Sequence, residues 1–349
     1  MQATKRIVLL FVAVGWFPLV LGELLSLAFA GHSERLFQNP SVHARLLLAV
    51  PAFLIADGVF SSRTSMCVGQ LCDGRLVAQG TELVGVVLAT ARRKDSWVAE
   101  AVFLLLSIAV GQVAIWSGRA GLLSSIPADR SAGLLWYGFV SLPIFLFLLA
   151  RSFWRWGCWS LLLWKTSRLR LQLVPMHADR AGGLGFLVGP SLAMGIVLLG
   201  SSAVIAAGFA ERMESEGTQL AAFGPEVLLF VVLGELVALG PLLPFGPQLL
   251  STRFVGIQDY GALGIDYARA FHRRWIEPPT REGLLGTSDI QSLADIQNAF
   301  RTLGEMRPAP FGKREMLLVC LAIFLPMLPL FAIAVPIDEL LARLFSAIA

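Results

Sequence analysis

The stretch PEVLLFVVLGELVALGPLLPF, Pro225–Phe245, holds 21 residues and only two charges, Glu226 and Glu235. At about 1.5 Å per residue it is long enough to cross the roughly 30 Å hydrocarbon core of a bilayer. Lipid offers the backbone no hydrogen bonds, so such a segment must be a helix. Six more stretches read the same way: Ile7–Ala30, Leu46–Phe60, Trp97–Trp116, Leu134–Ala150, Phe186–Ala210 and Met316–Ile337. The second is short and extends into His43–Ser62. The 349 residues are 56% hydrophobic and 15% charged, against about 45–50% and 25% in soluble domains. That composition excludes a soluble fold, a disordered chain and a collagen-like fibre. It predicts an all-α polytopic transmembrane bundle of about seven spans.

Basic residues set the orientation. With a cytoplasmic N-terminus, 22 of the 28 Lys and Arg fall on cytoplasmic segments, and the C-terminus is periplasmic. Anionic lipid headgroups answer the net charge of +4 without any nucleic acid. The first apolar run is too long for a cleaved signal peptide and contains Glu23. Cys67, Cys72, Cys158 and Cys320 carry no disulfide or zinc spacing, and no cofactor is expected. Expected partners are membrane lipids, with a second copy of the chain or a cytoplasmic protein as further options.

Residues 1–245 form the six-helix membrane region, 246–314 a cytoplasmic hairpin, and 315–349 the last span with a short amphipathic tail. Leu76, Gly80, Leu83, Val87 and Ala91 recur every three to four residues, which predicts an amphipathic helix. In the hairpin, Ile257, Tyr260, Gly264, Tyr267, Phe271 and Trp275 make one stripe, and Pro278-Pro279 ends it. A second helix starts at Ser288, with Gln291 reaching back to cap it; Ile290, Leu293, Phe300 and Leu303 are its apolar face. The two stripes pack on each other, lie on the membrane, or receive a partner. Trp154, Trp156, Trp159 and Trp164, interleaved with Arg151, Arg155 and Lys165, suit the headgroup layer. Gly185, Gly189 and Ala193 form a small-residue stripe for close helix contact.

Glu23, Asp57, Glu100, Glu226 and Glu235 fall inside the seven apolar ranges, and, leaving out the extension of the second to His43, no Lys, Arg or His does. Glu235 sits midway, where an ionised carboxylate costs at least about 2.5–3.5 kcal/mol to insert. It is therefore protonated, faces water or holds a cation. Ser107, Ser141, Ser201 and Ser202 lie at similar depth as candidate partners. Glu23, Asp57 and Glu100 extend an acidic path toward both faces. Gly240-Pro241 and Pro244 weaken the helix and free carbonyls of the kind transporters use as cation ligands.

Chemistry is densest in His177-Ala-Asp179-Arg180-Ala-Gly182-Gly183-Leu-Gly185-Phe186. Asp179 is suited to cap the fifth span, the glycines to close backbone approach, Arg180 to an anion and His177 to a proton. A capped packing turn explains the same residues without chemistry. This run, with Glu305-Met-Arg307-Pro-Ala-Pro310-Phe-Gly-Lys313, resembles a group of uncharacterised bacterial multi-pass membrane proteins. The likeness covers mainly residues 177–340. It implies a bacterial inner membrane, no assigned activity, and a rigid connector that docks the hairpin beneath the bundle.

Three functions fit. The first is a cation or proton channel or transporter using Glu235, Glu23, Asp57 and Glu100, gated at His177, Asp179, Arg180, Gly182, Gly183 and Gly185. The second is a non-catalytic scaffold that binds a partner through the hairpin. The third is a membrane-embedded enzyme acting on a lipid or phosphate ester, with His177 as acid/base. No hydrolase, metalloprotease or nucleotide-binding motif is present.

Overall fold

The computed structural model describes residues 2–30, 39–73, 76–77, 80–117, 132–277 and 288–334. Seven helices among them are long and apolar enough to cross a membrane, so this is a multi-pass integral membrane protein of all-α architecture. The longer helices are α1 (Gln2–Ala30), α2 (Val50–Asp73), α3 (Gly80–Lys94), α4 (Trp97–Ser117), α5 (Leu142–Thr166), α6 (Gly189–Glu216), α7 (Gly224–Leu239), α8 (Gly246–Trp275), α9 (Ser288–Gly304), α10 (Lys313–Phe324) and α11 (Leu328–Ala334). π-Helical turns at Ala44–Ala49 and Tyr137–Ser141 lead into α2 and α5. The proposed C-terminal tail lies outside the described residues.

Helices α2, α5 and α6 form the centre, and α1, α4, α7 and α10 lie around them with large apolar side chains exposed. One close seam joins α2 and the turn before it to α6. A Cβ on Gly200 would stand 3.0 Å from Ala52 Cβ and 3.1 Å from Ala49 Cα, so a side chain there would press on the facing helix.

Prolines interrupt the helices, and neighbouring side chains answer the carbonyls they orphan. Pro18 gives Val14 no N–H, and Trp136 Nε1 donates to Val14 O at 3.1 Å, while Ser141 Oγ donates to Gly15 O at 2.7 Å. Pro241 gives Val237 none, and Trp156 Nε1 donates to that carbonyl at 2.8 Å. The chain continues past it as a 3₁₀ turn, Gly240–Phe245. Pro326 cannot donate to Ile323 in the 3₁₀ turn Leu325–Met327, and Ser202 Oγ does so from α6. The carbonyl freed at Gly240-Pro241 is thus filled by an indole rather than left for a cation.

Hydropathy ends the fourth span at Ala150, but α5 continues unbroken to Thr166. Two of the four tryptophans therefore face the bundle rather than lipid. Trp156 and Trp159 are buried against the bundle, at 5% and 2% exposure, and Trp164 alone of the four is exposed. It also carries Arg151 and Arg155 into the bundle. Arg45 is likewise buried in the second long helix and donates to Tyr137 Oη at 2.6 Å.

Gly200→Val should lower the thermal unfolding midpoint in detergent by the equivalent of about 1–3 kcal/mol of overpacking. Gly208→Ala, at a position with open space around it, should leave the midpoint unchanged or raise it.

Candidate functional site

An inlet enters the bundle between α2, α3 and α5. Residues Ser61, Thr64, Ser65 and Val68 recur at i, i+3, i+4 and i+7, so one face of α2 is mostly hydroxyl. Opposite stand Thr90 and Lys94 from the inward face of α3, and Arg155 and Trp159 from α5. Together they enclose about 230 Å³. The Thr64 hydroxyl and the Trp159 indole N–H are buried there without hydrogen-bond partners.

Arg155 also borders a second cavity of about 20 Å³, shared with Asp57 and Ser152, large enough for about one water. Here Arg155 pairs with Asp57. Arg151 lies 3.9 Å from the other oxygen of Asp57 and 3.2 Å from Glu100. The inlet therefore leads from Lys94 to two guanidiniums and two carboxylates joined in one network. Asp57 and Glu100 are not the unanswered acids that hydropathy-drawn spans suggest: one turn of α5 beyond Ala150 supplies their counter-ions.

Glu235 is different. Its Oε1 accepts from Cys320 Sγ of α10 at 3.0 Å, and its Oε2 is buried without a partner. No ion pair reaches it among the described residues. None of the serines expected beside it binds it. Ser107 and Ser201 donate to carbonyls of their own helices, Phe103 O and Val197 O, and Ser141 and Ser202 answer the proline breaks. A groove of about 1340 Å³ between α6, α7 and α11 reaches Val231, one turn from Glu235, with Glu214, Thr218 and Gln219 along its lining. Glu23 is buried on α1, which packs on α2 and on the 132–141 segment. The four acids thus occupy separate seams, apart from Asp57 and Glu100.

The His177–Gly185 run is a tight turn built on Asp179. Oδ1 accepts from Ala181 N at 2.8 Å and Gly183 N at 3.1 Å, and Oδ2 from Gly185 N at 2.8 Å. His177 Nδ1 stands 2.8 Å from Oδ1. Burial alone would raise the Asp179 carboxyl, but the three amides and His177 outweigh it and hold it below its ordinary 3.8. Asp179 therefore caps the 3₁₀ turn Gly185–Val188 that leads into α6. Gly182 and Gly183 take φ of 64° and 96°, which side chains resist. Arg180 shares that left-handed region at φ 57° and is held there from both ends. Its guanidinium meets Glu305 at 3.0 Å, and its carbonyl accepts from Arg307 N at 2.7 Å. The His177–Phe186 and Glu305–Lys313 runs thus meet through Arg180.

Beyond them, α8 and α9 form a hairpin whose stripes meet in part: Ile257 and Ile290, expected on the apolar faces, are exposed. A Cβ on Gly264 would stand 2.7 Å from Phe300, and one on Gly256 2.8 Å from Leu303. Gln291 bonds Asp295 at 3.1 Å rather than capping its own helix. Trp275 Nε1 and Arg274 both reach Asp289 and close the hairpin.

Comparison with protein-family models, curated proteins and solved structures finds no match, so the chemistry rests on this geometry. Hydropathy missed the inlet because it averages Ser61, Thr64 and Ser65 into the end of a span. Their helical spacing was the signal that could have found it.

Because the folded-state Asp179 is more acidic than the unfolded one, its contribution is complete above the ordinary carboxylate range. It is lost as pH falls through the folded-state value. Thermal unfolding of Asp179→Asn should show a lower midpoint at pH 7, and its difference from wild type should shrink as pH falls below about 4.

Proposed function

We propose that this protein is a membrane carrier for a small anion, which enters the inlet from its Lys94 end and competes with Asp57 for Arg155. The observation that carries the reading is a cleft holding two cations together with a hydroxyl and an indole N–H that are buried without partners. Unanswered buried donors are costly, and an oxyanion answers both at once. The volume lies below the roughly 300 Å³ of drug-sized pockets, which favours a solute of few heavy atoms. Asp57 and Glu100 keep Arg155 and Arg151 neutralised when the cleft is empty. The setting is a bacterial inner membrane, by family resemblance, with the inlet on the cytoplasmic side, by the distribution of Lys and Arg.

In liposomes, wild-type protein should take up at least one of inorganic phosphate, sulfate or acetate above empty vesicles. Arg155→Gln should abolish that uptake, and Thr64→Val should weaken it about tenfold, the loss of one charge-assisted hydrogen bond. Asp57→Asn separates anion from cation cargo. It frees Arg155 and should tighten anion binding, whereas a cation carrier would lose its ligand. Uptake by Arg155→Gln equal to wild type, or none by any form, rejects the reading.

A second reading is favoured by Glu235 alone. Its unpartnered Oε2, one turn from a groove, suits a proton or cation path along the α7–α10 seam. Proton flux into vesicles should then disappear in Glu235→Gln and survive Arg155→Gln. Flux no greater than in empty vesicles removes it.

A further inference from the structure

An open groove of about 980 Å³ runs between α1 and α2, on the side of α2 away from the inlet. One end carries Lys5, Ser62 and Arg63; its walls are apolar side chains, among them Leu9, Ile55 and Met66. No acid lines it, and neither cation makes an ion pair or hydrogen bond among the described residues. This is the reverse of the inlet, where Arg155 and Lys94 have Asp57 and Asp95 beside them. From Arg63 to Ile55 the wall follows eight residues of helix, about 12 Å of apolar surface below the charges. Gly58 lies on that wall with no heavy atom within 4 Å of where its Cβ would stand, so the groove is open at this point.

We propose that this groove binds one anionic phospholipid, its phosphate between Lys5 and Arg63 and one acyl chain laid over Gly58 toward Ile55. Two uncompensated cations select a negative headgroup over a zwitterionic one. The long apolar wall, continuous with the hydrocarbon core, selects a lipid over a free anion. A second copy of the chain would instead need an acidic face to meet this end. The site is independent of the proposed transport activity, since its residues do not line the inlet.

The test uses the full chain, purified in detergent with equal phosphatidylglycerol and phosphatidylcholine, and counts retained lipids by native mass spectrometry. Wild type should keep phosphatidylglycerol in preference. Lys5→Gln/Arg63→Gln should reduce that preference about tenfold, and Lys5→Arg/Arg63→Lys should restore it. Gly58→Trp should eject the lipid although both cations remain. Melting temperatures equal to wild type should show that these surface variants are folded. Equal retention of the two lipids by wild type overturns the proposal. So does displacement of phosphatidylglycerol by inorganic phosphate alone, which makes the site one for free anions. A dimer that Gly58→Trp dissolves while lipid retention is unchanged also overturns it, and gives the groove to a second copy.

Discussion

Inside a bilayer a backbone carbonyl without a donor has no water to fall back on. Pro18, Pro241 and Pro326 each leave a carbonyl without its helical donor, and beside each a side chain from another element supplies one. Trp136 and Ser141 act at Pro18, Trp156 at Pro241, and Ser202 at Pro326. These bonds fix more than local geometry. Apolar contact between helices gains little over contact with lipid tails, so directional bonds and close packing set helix register. α1 is pinned to the segment before α5, α7 to α5 and α10 to α6, while Gly200 lets α2 and α6 approach closely.

The charged network follows from that register. Two guanidiniums and two carboxylates are an expensive way to hold helices together, because the desolvation of such groups rivals their attraction. Apolar replacements would often serve packing as well. Their presence at the inner end of a polar inlet, next to buried donors with nothing to bond, is what the proposed carrier reading rests on: an anion that exchanges with one of the carboxylates. The exposure of Arg155, 12% for its side chain, leaves it mostly shielded from solvent. A competing anion there would act through a stronger field than at an open surface.

Seven helices could be read from the sequence because hydrophobicity over about 20 residues is a local sum. The hairpin was legible for the same reason, since its stripes recur at helical spacing and need only meet. Depth was less legible. Ala150 ends the apolar run but not the helix, so Arg151, Arg155 and two tryptophans seemed to lie at the membrane surface. In fact neighbouring helices cover Trp156 and Trp159 and most of Arg155, and Arg151 is partly covered. Which serine faces which acid depends on helix rotation, which no one-dimensional pattern contains; all four serines serve carbonyls. Asp179 was readable as a cap because Asp followed by glycines has few other uses. That Arg180 reaches Glu305, more than a hundred residues on, was visible only as two unusual runs in one chain.

Arg155 and Trp156 are consecutive on α5 and face different duties. One side chain holds Asp57 at the end of the inlet; the next fills the Val237 carbonyl at the break between α7 and the 3₁₀ turn. A turn or slide of α5 large enough to withdraw Arg155 from Asp57 would carry Trp156 with it and strand that carbonyl in a medium that cannot solvate it. Release of the ion pair is therefore cheap only if the side chain of Arg155 swings while its helix stays, or if the 3₁₀ turn and α8 travel along with α5. Gln248 at the start of α8 donates to Ser167 O and Leu169 O at the far end of α5, so those two helices are already tied at a second point. The arrangement favours a rigid α5–α8 unit with a mobile guanidinium over a bundle that opens by parting its helices at this seam.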